Sequence, residues 1–374
     1  MTYLDYSATT PTNKEVLDTF VEVSNKFIGN PNSLHKLGVE ANNIINAATK
    51  QIADLLNIKE SEIIYTSGSS ESNNTVIKGI CEKYQNRGKR IITTEFEHSS
   101  IYGPLTYLQK KGFEVVFVKT NEFGVVDVNS LKELLTDDAI LVSICAVNSE
   151  IGIVQPIDEI GSILKDYPKC YFHVDATQAL GKIKIDLTNV DLASFSAHKI
   201  YGIKGIGMLY KKENISLEPL VHGGKSTTVF RSGTPATALI VSFSKAIRLI
   251  LENLDSKYEY IKKLNEKIKN ELSLLDNIYI NSNDYCIPNV LNISIVGIKP
   301  ETMLHALEQH DIYISTQTAC STGTVSKSVY ALTKDEQRAK SSIRISLSHL
   351  TTEDEINYFL KCFDECLESL KLKG

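Results

Sequence analysis

Residues 170–178 read Cys-Tyr-Phe-His-Val-Asp-Ala-Thr-Gln, and residues 192–199 read Leu-Ala-Ser-Phe-Ser-Ala-His-Lys. Each stretch is a short run of mainly apolar residues that leads to a polar, reactive side chain, Asp175 in the first and Lys199 in the second. Such runs are typical of strands buried in a mostly parallel sheet. Because ligands of these sheets bind beyond the carboxyl ends of the strands, the two polar ends indicate a binding site.

The same alternation of apolar runs and amphipathic helical segments extends from about Lys14 to Lys211. It predicts an α/β fold with a mostly parallel sheet covered on both faces. The runs predicted to be strands are residues 62–66, 90–94, 114–118, 140–147, 170–174, 192–196 and 206–210.

Beyond this part the pattern predicts a second domain. Residues 237–275 carry apolar side chains at helical spacing with Lys and Glu opposite, as expected of a long connector. The remainder is predicted to be α+β, and its last helix begins at a capping box formed by Thr352 and Glu355. We expect a large domain over residues 14–255 and a small domain made of residues 1–13 with 256–374.

The composition excludes several classes of protein. The 374 residues are 42% hydrophobic and 23% charged, with a formal net charge of −5, which is typical of a globular protein and not of one that binds nucleic acid directly. We find no leader pattern and no apolar stretch long enough to span a membrane, so we expect a cytoplasmic protein. The seven cysteines include no Cys-x-x-Cys pair, which argues against disulfides and against a zinc site. We therefore predict no metal. We interpret Cys362 and Cys366 as packing residues of the last helix.

Three motifs have both an ordinary and a chemical interpretation. Ser69 and Ser70 follow a predicted strand and begin a helix, as in an ordinary helix cap or in a phosphate site. Asp175 suits either a capping residue or the partner of a protonated pyridine nitrogen, and Lys199 either a surface lysine or one that forms a Schiff base. The three motifs occur in this order, each at a predicted strand end, which favours the chemical interpretation.

This combination resembles the cysteine desulfurases of the class V aminotransferase fold, in the branch of the nitrogenase and housekeeping iron–sulfur assembly enzymes. The resemblance runs nearly from end to end. It is carried by residues 3–11 (YLDYSATTP), 29–33 (GNPNS), 94–98 (TEFEH), 147–152 (VNSEIG), 173–178 (HVDATQ), 196–202 (SAHKIYG), 231–234 (RSGT) and 342–346 (SIRIS). It implies a pyridoxal-phosphate enzyme of fold type I, aspartate aminotransferase-like, with a smaller α+β domain.

The resemblance also implies a role for each site residue. Lys199 would be the Schiff-base lysine and proton shuttle, Asp175 the partner of the pyridinium nitrogen, Gln178 a contact of the ring hydroxyl, and His98 a ring-stacking residue that moves protons. Arg344 would clamp the substrate carboxylate, where the ordinary interpretation is a surface ion pair. The phosphate would be bound by Ser69, Ser70, Ser196 and His198, with Thr234 from the other subunit of a homodimer.

Two further positions carry predictions. Cys320, in residues 318–323 (TACSTG), would receive the sulfur of L-cysteine as a persulfide and pass it to an acceptor protein for iron–sulfur clusters or thiolated tRNA. Asn148 would contact the coenzyme and the substrate, but it occupies the first of two positions that are both asparagine in the family, and the second is Ser149. We assign Cys81, Cys145, Cys170 and Cys286 to packing.

Two alternative functions stay open at this point. The first is another pyridoxal-phosphate enzyme of the same fold, such as a selenocysteine lyase, a cystine lyase or an aminotransferase, and Cys320 argues against it. A non-catalytic sulfur-relay or docking protein could keep the fold without the reaction. Lys199 and Asp175 argue against the second alternative.

Overall fold

The structure is a computed structural model that describes residues 1–316 and 325–371. Its strands are β1 (Thr2–Tyr3), β2 (Ile63–Thr66), β3 (Arg90–Thr93), β4 (Glu114–Phe117), β5 (Ala139–Cys145), β6 (Tyr171–Asp175), β7 (Leu192–Ser196), β8 (Gly207–Lys211), β9 (Ile278–Ile280), β10 (Val290–Ile295), β11 (Ile312–Tyr313) and β12 (Ser342–Ser346). Its α-helices are α1 (Lys14–Lys26), α2 (Lys36–Leu56), α3 (Ser69–Tyr84), α4 (Ser99–Gln109), α5 (Val128–Leu134), α6 (Ile157–Leu164), α7 (Thr237–Leu251), α8 (Leu254–Leu272), α9 (Pro300–Glu308), α10 (Lys327–Thr333), α11 (Glu336–Lys340) and α12 (Glu353–Lys371).

A seven-stranded sheet forms the centre of the molecule, with the strand order β2-β8-β7-β6-β5-β3-β4. Every strand runs in the same direction except β8, which pairs antiparallel with both β2 and β7. The mostly parallel α/β sheet predicted from the sequence is therefore confirmed. The seven predicted strands fall within about two residues of the observed ones, because strands buried on both faces leave continuous apolar runs.

Two smaller sheets are built from the ends of the chain. In the first, β10 lies between β9 and β12 and pairs antiparallel with both. In the second, β1 and β11 pair in parallel, which attaches the first residues of the chain to its last third. Leu4 accordingly packs in one hydrophobic cluster with buried side chains from Ile261 to Leu367. The exact division into two domains stays a prediction.

The predicted connector over residues 237–275 is two helices rather than one continuous helix. It breaks between Leu251 and Leu254, where Asn253 has a φ of 55°, in the left-handed region that asparagine tolerates well. The predicted capping box of the last helix is present. Thr352 Oγ1 accepts a hydrogen bond from the Glu355 backbone N–H at 3.2 Å, and a Glu355 carboxylate oxygen accepts one from the Thr352 N–H at 2.8 Å.

The cysteines of the described residues are all free thiols, and most are buried. Cys362 nevertheless has possible metal ligands beside it, since His310, Cys362 and Glu365 place ligand atoms within 4.8 Å of one another. Three ligand atoms fall short of the four of a closed structural zinc site, and Cys362 lies in the core at 2% exposure. The packing interpretation of Cys362 therefore stands. None of the described helices combines the length and the apolarity needed to cross a membrane.

Candidate active site

A cavity of about 260 Å³ lies at the carboxyl ends of β6 and β7, beside the first turn of α3. This volume is close to the lower limit of roughly 300 Å³ for small-molecule sites. The cavity is lined by Ser7, Ala8, Ser69, Ser70, Phe96, His98, Cys145, Val147, Ser149, Asp175, Thr177, Gln178, His198, Lys199 and Arg344. The cavity therefore brings together residues from both ends of the chain. Its position beyond the carboxyl ends of the strands is the one at which ligands of α/β sheets bind.

The first turn of α3 forms one part of the wall. Its N-cap is Gly68, whose φ of +152° suits glycine and which supplies no side-chain cap. Ser69 and Ser70 line the cavity, and the backbone N–H groups of a 16-residue helix begin there. Ser196 comes close to the same turn, because a Cβ placed on Gly68 would meet its Oγ at 3.3 Å. The N-terminus of α3 and the nearby serine hydroxyl groups together suit the binding of an anion such as a phosphate.

Asp175 ends strand β6 and is 6% exposed. One carboxylate oxygen accepts hydrogen bonds from the backbone N–H of Thr177 at 3.0 Å and from its hydroxyl. The other accepts one from Asn73 Nδ2 at 2.8 Å. These donors hold the carboxylate in one orientation at the cavity wall. Thr177 is only two residues further along the chain, as in an ordinary capping turn, whereas Asn73 belongs to α3.

Lys199 lies in the 3₁₀ turn that follows β7, and the residues opposite it come from the start of the chain. Its Nζ donates hydrogen bonds to the carbonyl oxygens of Ser7 at 2.6 Å and Ala8 at 2.7 Å. The surface-lysine interpretation is therefore wrong for Lys199. The sequence motif at residues 3–11 marked this segment, and its hydrogen bonds with Lys199 show that Ser7 and Ala8 form part of the cavity wall.

Gln178 is fixed at both ends of its amide. Nε2 donates to the Ser7 carbonyl oxygen at 2.9 Å, and Oε1 accepts a hydrogen bond from Lys182 Nζ. Burial, followed by the positive charges of Lys199 and Arg344, lowers the pKa of Lys182 to about 7. This third basic group is a residue that the sequence analysis missed. It belongs to the wall behind the cavity, where the Lys182 side chain is partly buried.

Two histidines line the cavity, and both are shifted toward the neutral form. His98 is the N-cap of α4, and its Nδ1 lies 3.1 Å from the backbone nitrogen of Ser100, which donates to it. Burial lowers the pKa of His98. Burial, followed by the charge of Lys199, lowers the pKa of His198 to about 4. These causes favour the neutral ring of His198, in which one ring nitrogen can still donate a hydrogen bond to an anion.

Arg344 reaches the cavity from β12, and it is buried at 1% exposure. Its Nη2 lies 2.8 Å from a carboxylate oxygen of Asp5, and its Nη1 donates to the carbonyl oxygen of Ser149 at 3.1 Å. Nε has no hydrogen-bond partner among the described residues. The ion pair is therefore buried rather than at the surface, and it leaves guanidinium N–H groups for a ligand anion.

Glu97 and Cys145 form a buried acidic corner behind the cavity. A Glu97 carboxylate oxygen accepts from the Thr94 hydroxyl at 2.7 Å and from the Cys145 backbone N–H at 2.9 Å. Burial, followed by the nearby charge of Asp175, raises the pKa of Glu97 to about 8. Burial, followed by Glu97 and Asp175, also raises the pKa of Cys145 well above its usual range. Packing alone does not describe Cys145, since it lines the cavity.

Among the described residues, three of the predicted site residues do not line the cavity, namely Ser196, Asn148 and Thr234. Asn148 has its amide fully used, because Nδ2 donates to Phe96 O and to Ser328 while Oδ1 accepts from two backbone N–H groups. Its neighbour Ser149 lines the cavity instead. Thr234 is exposed, and Cys320 lies outside the described residues. The roles assigned to these residues stay predictions, and for Asn148 the structure favours a structural role.

Comparison with known proteins assigns the chain to a family. The model of the aminotransferase class-V family matches residues 2–359. The chain is 40% identical to a mitochondrial cysteine desulfurase of Saccharomyces cerevisiae, over 99% of this chain and 75% of the relative. It is 39% identical to a cysteine desulfurase IscS of Glaesserella parasuis, over 99% of this chain and 93% of the relative.

Solved structures agree with this assignment. A NifS-like protein superposes with a TM-score of 0.93 at 36% identity, covering 98% of this chain and 99% of the other. A structure of SspA in complex with cysteine superposes with a TM-score of 0.83 at 32% identity, covering 94% and 100%. The chain belongs to the aminotransferase class-V family, in its branch of NifS- and IscS-type cysteine desulfurases.

Proposed function

We propose that this enzyme is a pyridoxal-phosphate-dependent desulfurase that converts L-cysteine to L-alanine and keeps the sulfur as a persulfide on Cys320. The observation that carries the proposal is the presence of Asp175, Lys199 and Arg344 on the wall of one cavity. A carboxylate, a lysine and an arginine there offer, respectively, a partner for a ring nitrogen, an amine for a carbonyl carbon and a clamp for a carboxylate.

The cavity fits pyridoxal phosphate on observations of its own residues. Ser69, Ser70 and the uncapped N–H groups of α3 would hold the phosphate, with Ser196 beside them. Asp175 would hold the ring nitrogen, because its buried carboxylate lines the cavity and its hydrogen-bond donors, Asn73 and Thr177, are neutral groups. When bound, the coenzyme supplies an electron sink for the substrate's α-carbon.

Arg344 would bind the carboxylate of the substrate. Its guanidinium is already held by Asp5 and by the Ser149 carbonyl oxygen, so its orientation is set before the substrate arrives. A guanidinium group whose orientation is already fixed loses little conformational entropy on binding. Its Nε, which has no hydrogen-bond partner among the described residues, would gain one from the substrate. Superposition with SspA, which has been solved in complex with cysteine, supports the substrate class.

The residues of the chain then move protons and sulfur. Lys199 Nζ would take the α-proton of cysteine and His98 would exchange protons near the same atoms. The Cβ–S bond of the substrate breaks, an S–S bond forms between that sulfur and Cys320, and Cβ receives a proton. Cysteine and one enzyme thiol thus give alanine and one enzyme persulfide, and no external oxidant is needed.

The choice of Cys320 over Cys145 follows from thiol chemistry. Cys145 lines the cavity, but its raised pKa keeps it protonated, and a thiol is a poor nucleophile compared with a thiolate. The segment that carries Cys320 leaves the described chain near the cavity. Ser315 pairs with Arg344 through two backbone hydrogen bonds of 3.1 and 2.7 Å. Cys320 is five residues further on, within about 18 Å of contour.

The segment returns to the described chain near the cavity as well. The Ser326 hydroxyl donates to the buried carboxylate of Glu150, which follows the cavity residue Ser149. Both attachments of the Cys320 segment therefore lie next to residues of the proposed site. This arrangement supports a thiol that reaches the substrate and then an acceptor.

Several finer assignments belong to the same proposal. We expect a homodimer in which the partner copy contributes Thr234, since Thr234 is exposed in its own chain. Helices α1 and α2 also carry apolar side chains that are 46 to 49% exposed, namely Leu17, Val21, Leu37 and Val39. Exposed apolar side chains on these helices support their burial between the two subunits of the dimer. The sulfur acceptor would be a scaffold of iron–sulfur cluster assembly or an enzyme of tRNA thiolation. A cytoplasmic location and the two-domain division stay predictions from the sequence.

Product analysis tests the proposed function. Purified enzyme loaded with pyridoxal phosphate and given L-cysteine with a thiol reductant should release alanine and sulfide in equal amounts. Cys320→Ala should keep the coenzyme absorbance but lose sulfide release, while Cys286→Ala, a matched cysteine change outside the cavity, should keep both. Pyruvate or another keto acid as the main product would instead indicate a lyase or an aminotransferase, and the absence of coenzyme absorbance would indicate a non-catalytic protein.

A further inference from the structure

A row of hydrogen bonds links Asp175 to His98 through two residues that do not line the cavity. Asn73 is fully buried, and its Nδ2 donates to an Asp175 carboxylate oxygen and to Ser100 Oγ, at 2.8 Å each. Ser100 Oγ lies 2.8 Å from His98 Nδ1. The row therefore connects the side chain proposed to hold the ring nitrogen with the histidine proposed to move protons.

The orientation of the Asn73 amide follows from the charge on Asp175. Turned the other way, the amide would place its carbonyl oxygen against a carboxylate oxygen, which is repulsive, and would leave two buried N–H groups without an acceptor. The observed orientation leaves only Oδ1 without a hydrogen-bond partner among the described residues. Asn73 is thus a donor to both Asp175 and Ser100.

The direction of the remaining bonds follows from one backbone group. The Ser100 backbone N–H is always a donor, and it lies 3.1 Å from His98 Nδ1, so this ring nitrogen must be an acceptor. The Ser100 hydroxyl already accepts from Asn73, and its own proton is free to point at the same nitrogen. In the neutral ring the proton consequently resides on Nε2.

We propose that Asn73 and Ser100 are positioning residues that hold His98 in a single tautomer, so that Nε2 is the ring nitrogen that exchanges protons, and that Asn73 couples this choice to the ionised state of Asp175. The inference deepens the proposed function and rests on it only in taking His98 as the group that moves protons. Moving the proton to Nδ1 would set it against the N-terminal backbone of α4, which cannot turn away as a side chain does.

The charged groups that face His98 act in opposite directions. Asp175 on β6 favours the imidazolium, whereas burial and Lys199 after β7 favour the neutral ring. Arg344 of β12 lines the same cavity. A hydrogen bond donated to Nδ1 stabilises the neutral ring further, because the donor must be displaced when Nδ1 is protonated. Loss of the Ser100 hydroxyl should therefore raise the pKa of His98.

Nuclear magnetic resonance of the loaded enzyme tests the proposal directly. The imidazole nitrogens of the eight histidines are labelled with ¹⁵N, and the His98 signals are assigned by their loss in His98→Gln. In the wild-type enzyme we expect an unprotonated Nδ1 and a protonated Nε2 on His98. Ser100→Ala should raise the pKa of His98 by roughly half a unit or more, which corresponds to one lost hydrogen bond.

Matched variants separate positioning from a general loss of structure. Ser100→Thr keeps the hydroxyl and should keep the pKa and the tautomer of His98, and the acidic limb of the kcat/KM profile should move in Ser100→Ala but not in Ser100→Thr. Asn73→Ala removes the donor that occupies Ser100 Oγ, so this oxygen can turn to accept a hydrogen bond from a protonated Nδ1, and the pKa of His98 should rise in this variant as well. A wild-type His98 with its proton on Nδ1, or an unchanged pKa in Ser100→Ala, would overturn the proposal.

The two proposals fail in different ways. If no alanine is formed from cysteine while His98 shows the expected tautomer and shift, the proposed function is wrong and the hydrogen-bond row still holds. If alanine is formed at the wild-type rate in Ser100→Ala and Asn73→Ala with an unmoved pKa, the positioning role is wrong and the function stands. Thermal unfolding and coenzyme absorbance of each variant show that the fold is intact.

Discussion

The two walls of the cavity are built in different ways. The wall proposed to bind the coenzyme, called the coenzyme wall here, is assembled from the ends of neighbouring strands and the turns after them, with Asp175 ending β6 and Lys199 following β7. The substrate wall joins residues that are far apart in the chain, since Arg344 on β12 and Asp5 near β1 are separated by 339 positions. A large sheet thus carries the first set of groups, and the pairing of the two chain ends carries the second.

The difference indicates a division of labour between the walls. Groups at the edge of a buried parallel sheet are held by the sheet itself, which suits a coenzyme that stays bound throughout the cycle. Arg344 is held by one ion pair and one carbonyl oxygen, so its part of the wall can be altered separately. We therefore expect changes at the first wall to abolish the chemistry and changes at the second to weaken substrate binding.

The largest effect is expected for Lys199→Ala, a change in the coenzyme wall. Losing the amine that is proposed to bind the coenzyme and move the α-proton should lower turnover by about three orders of magnitude or more. The coenzyme absorbance band should also change, which ultraviolet–visible spectroscopy measures. Lys204→Ala is a control at a neighbouring exposed lysine and should leave both unchanged. Substantial turnover in Lys199→Ala would contradict the division between the walls.

A smaller effect is expected for Arg344→Lys, in the substrate wall. A lysine keeps the positive charge but cannot bind a carboxylate through two parallel N–H groups as a guanidinium does. The lost charge-assisted hydrogen bonds should raise KM for cysteine by roughly 10- to 100-fold. The coenzyme absorbance should be unchanged, because Arg344 is assigned only to the substrate. Steady-state kinetics and a coenzyme titration measure the two effects, and loss of coenzyme binding would show that the walls are not independent.

Glu97→Gln sharpens the comparison through the dependence of stability on pH. Burial raises the pKa of Glu97 to about 8 in the folded protein, whereas the ordinary pKa of this carboxyl group in the unfolded chain is 4.5. The protonated carboxyl group therefore contributes fully to the free energy of unfolding below the unfolded pKa, and this contribution is lost as the pH rises toward 8. Between about pH 6 and about pH 8 the wild type should lose up to about 2 kcal/mol of unfolding free energy that Glu97→Gln retains.

Thermal or denaturant unfolding at several pH values measures the Glu97 effect. Cys145 and Tyr102 lie beside this carboxyl group, and burial raises the pKa of each above the pH range of the experiment, so the difference between the two curves within that range reports on Glu97. Parallel curves for the wild type and Glu97→Gln would mean that the buried carboxyl group is not protonated near neutral pH.

The smallest of these effects is expected for Asp5→Asn. The substitution leaves the buried guanidinium of Arg344 without its counter-ion, and the free energy of unfolding should fall by about 1 to 2 kcal/mol. L-alanine, which carries the same carboxylate as the substrate, should restore part of the loss by binding Arg344. Unfolding with and without alanine checks this, and Asp18→Asn, at an exposed ion pair, is the control. An absence of rescue would place the substrate carboxylate elsewhere.

The sequence predicted the coenzyme wall better than the substrate wall, for a physical reason. Asp175, Lys199 and the turn at Ser69 and Ser70 each follow an apolar run, so the local pattern marks them and the parallel sheet brings them together. No local pattern marks the contact of Asp5 with Arg344, which depends on how the chain ends pair. The same is true of Asn73 and Ser100, whose roles arise from hydrogen bonds between two helices and a strand.

Two residues show that a local pattern does not fix side-chain partners. Asn148 was expected in the site, but its amide closes the turn after β5, and nothing in the sequence distinguishes it from Ser149 in this respect. Cys145 was assigned to packing because it ends an apolar run, and the structure shows that the end of that run reaches the cavity.

A single-turnover experiment tests the central claim most directly. The loaded enzyme is mixed with less than one equivalent of L-cysteine without reductant, alkylated, digested and analysed by mass spectrometry for added sulfur on each cysteine. We predict one extra sulfur atom on Cys320 for each alanine formed and none on Cys145. Alanine formation with the sulfur on Cys145, or with no sulfur on any cysteine of the enzyme, would contradict the account.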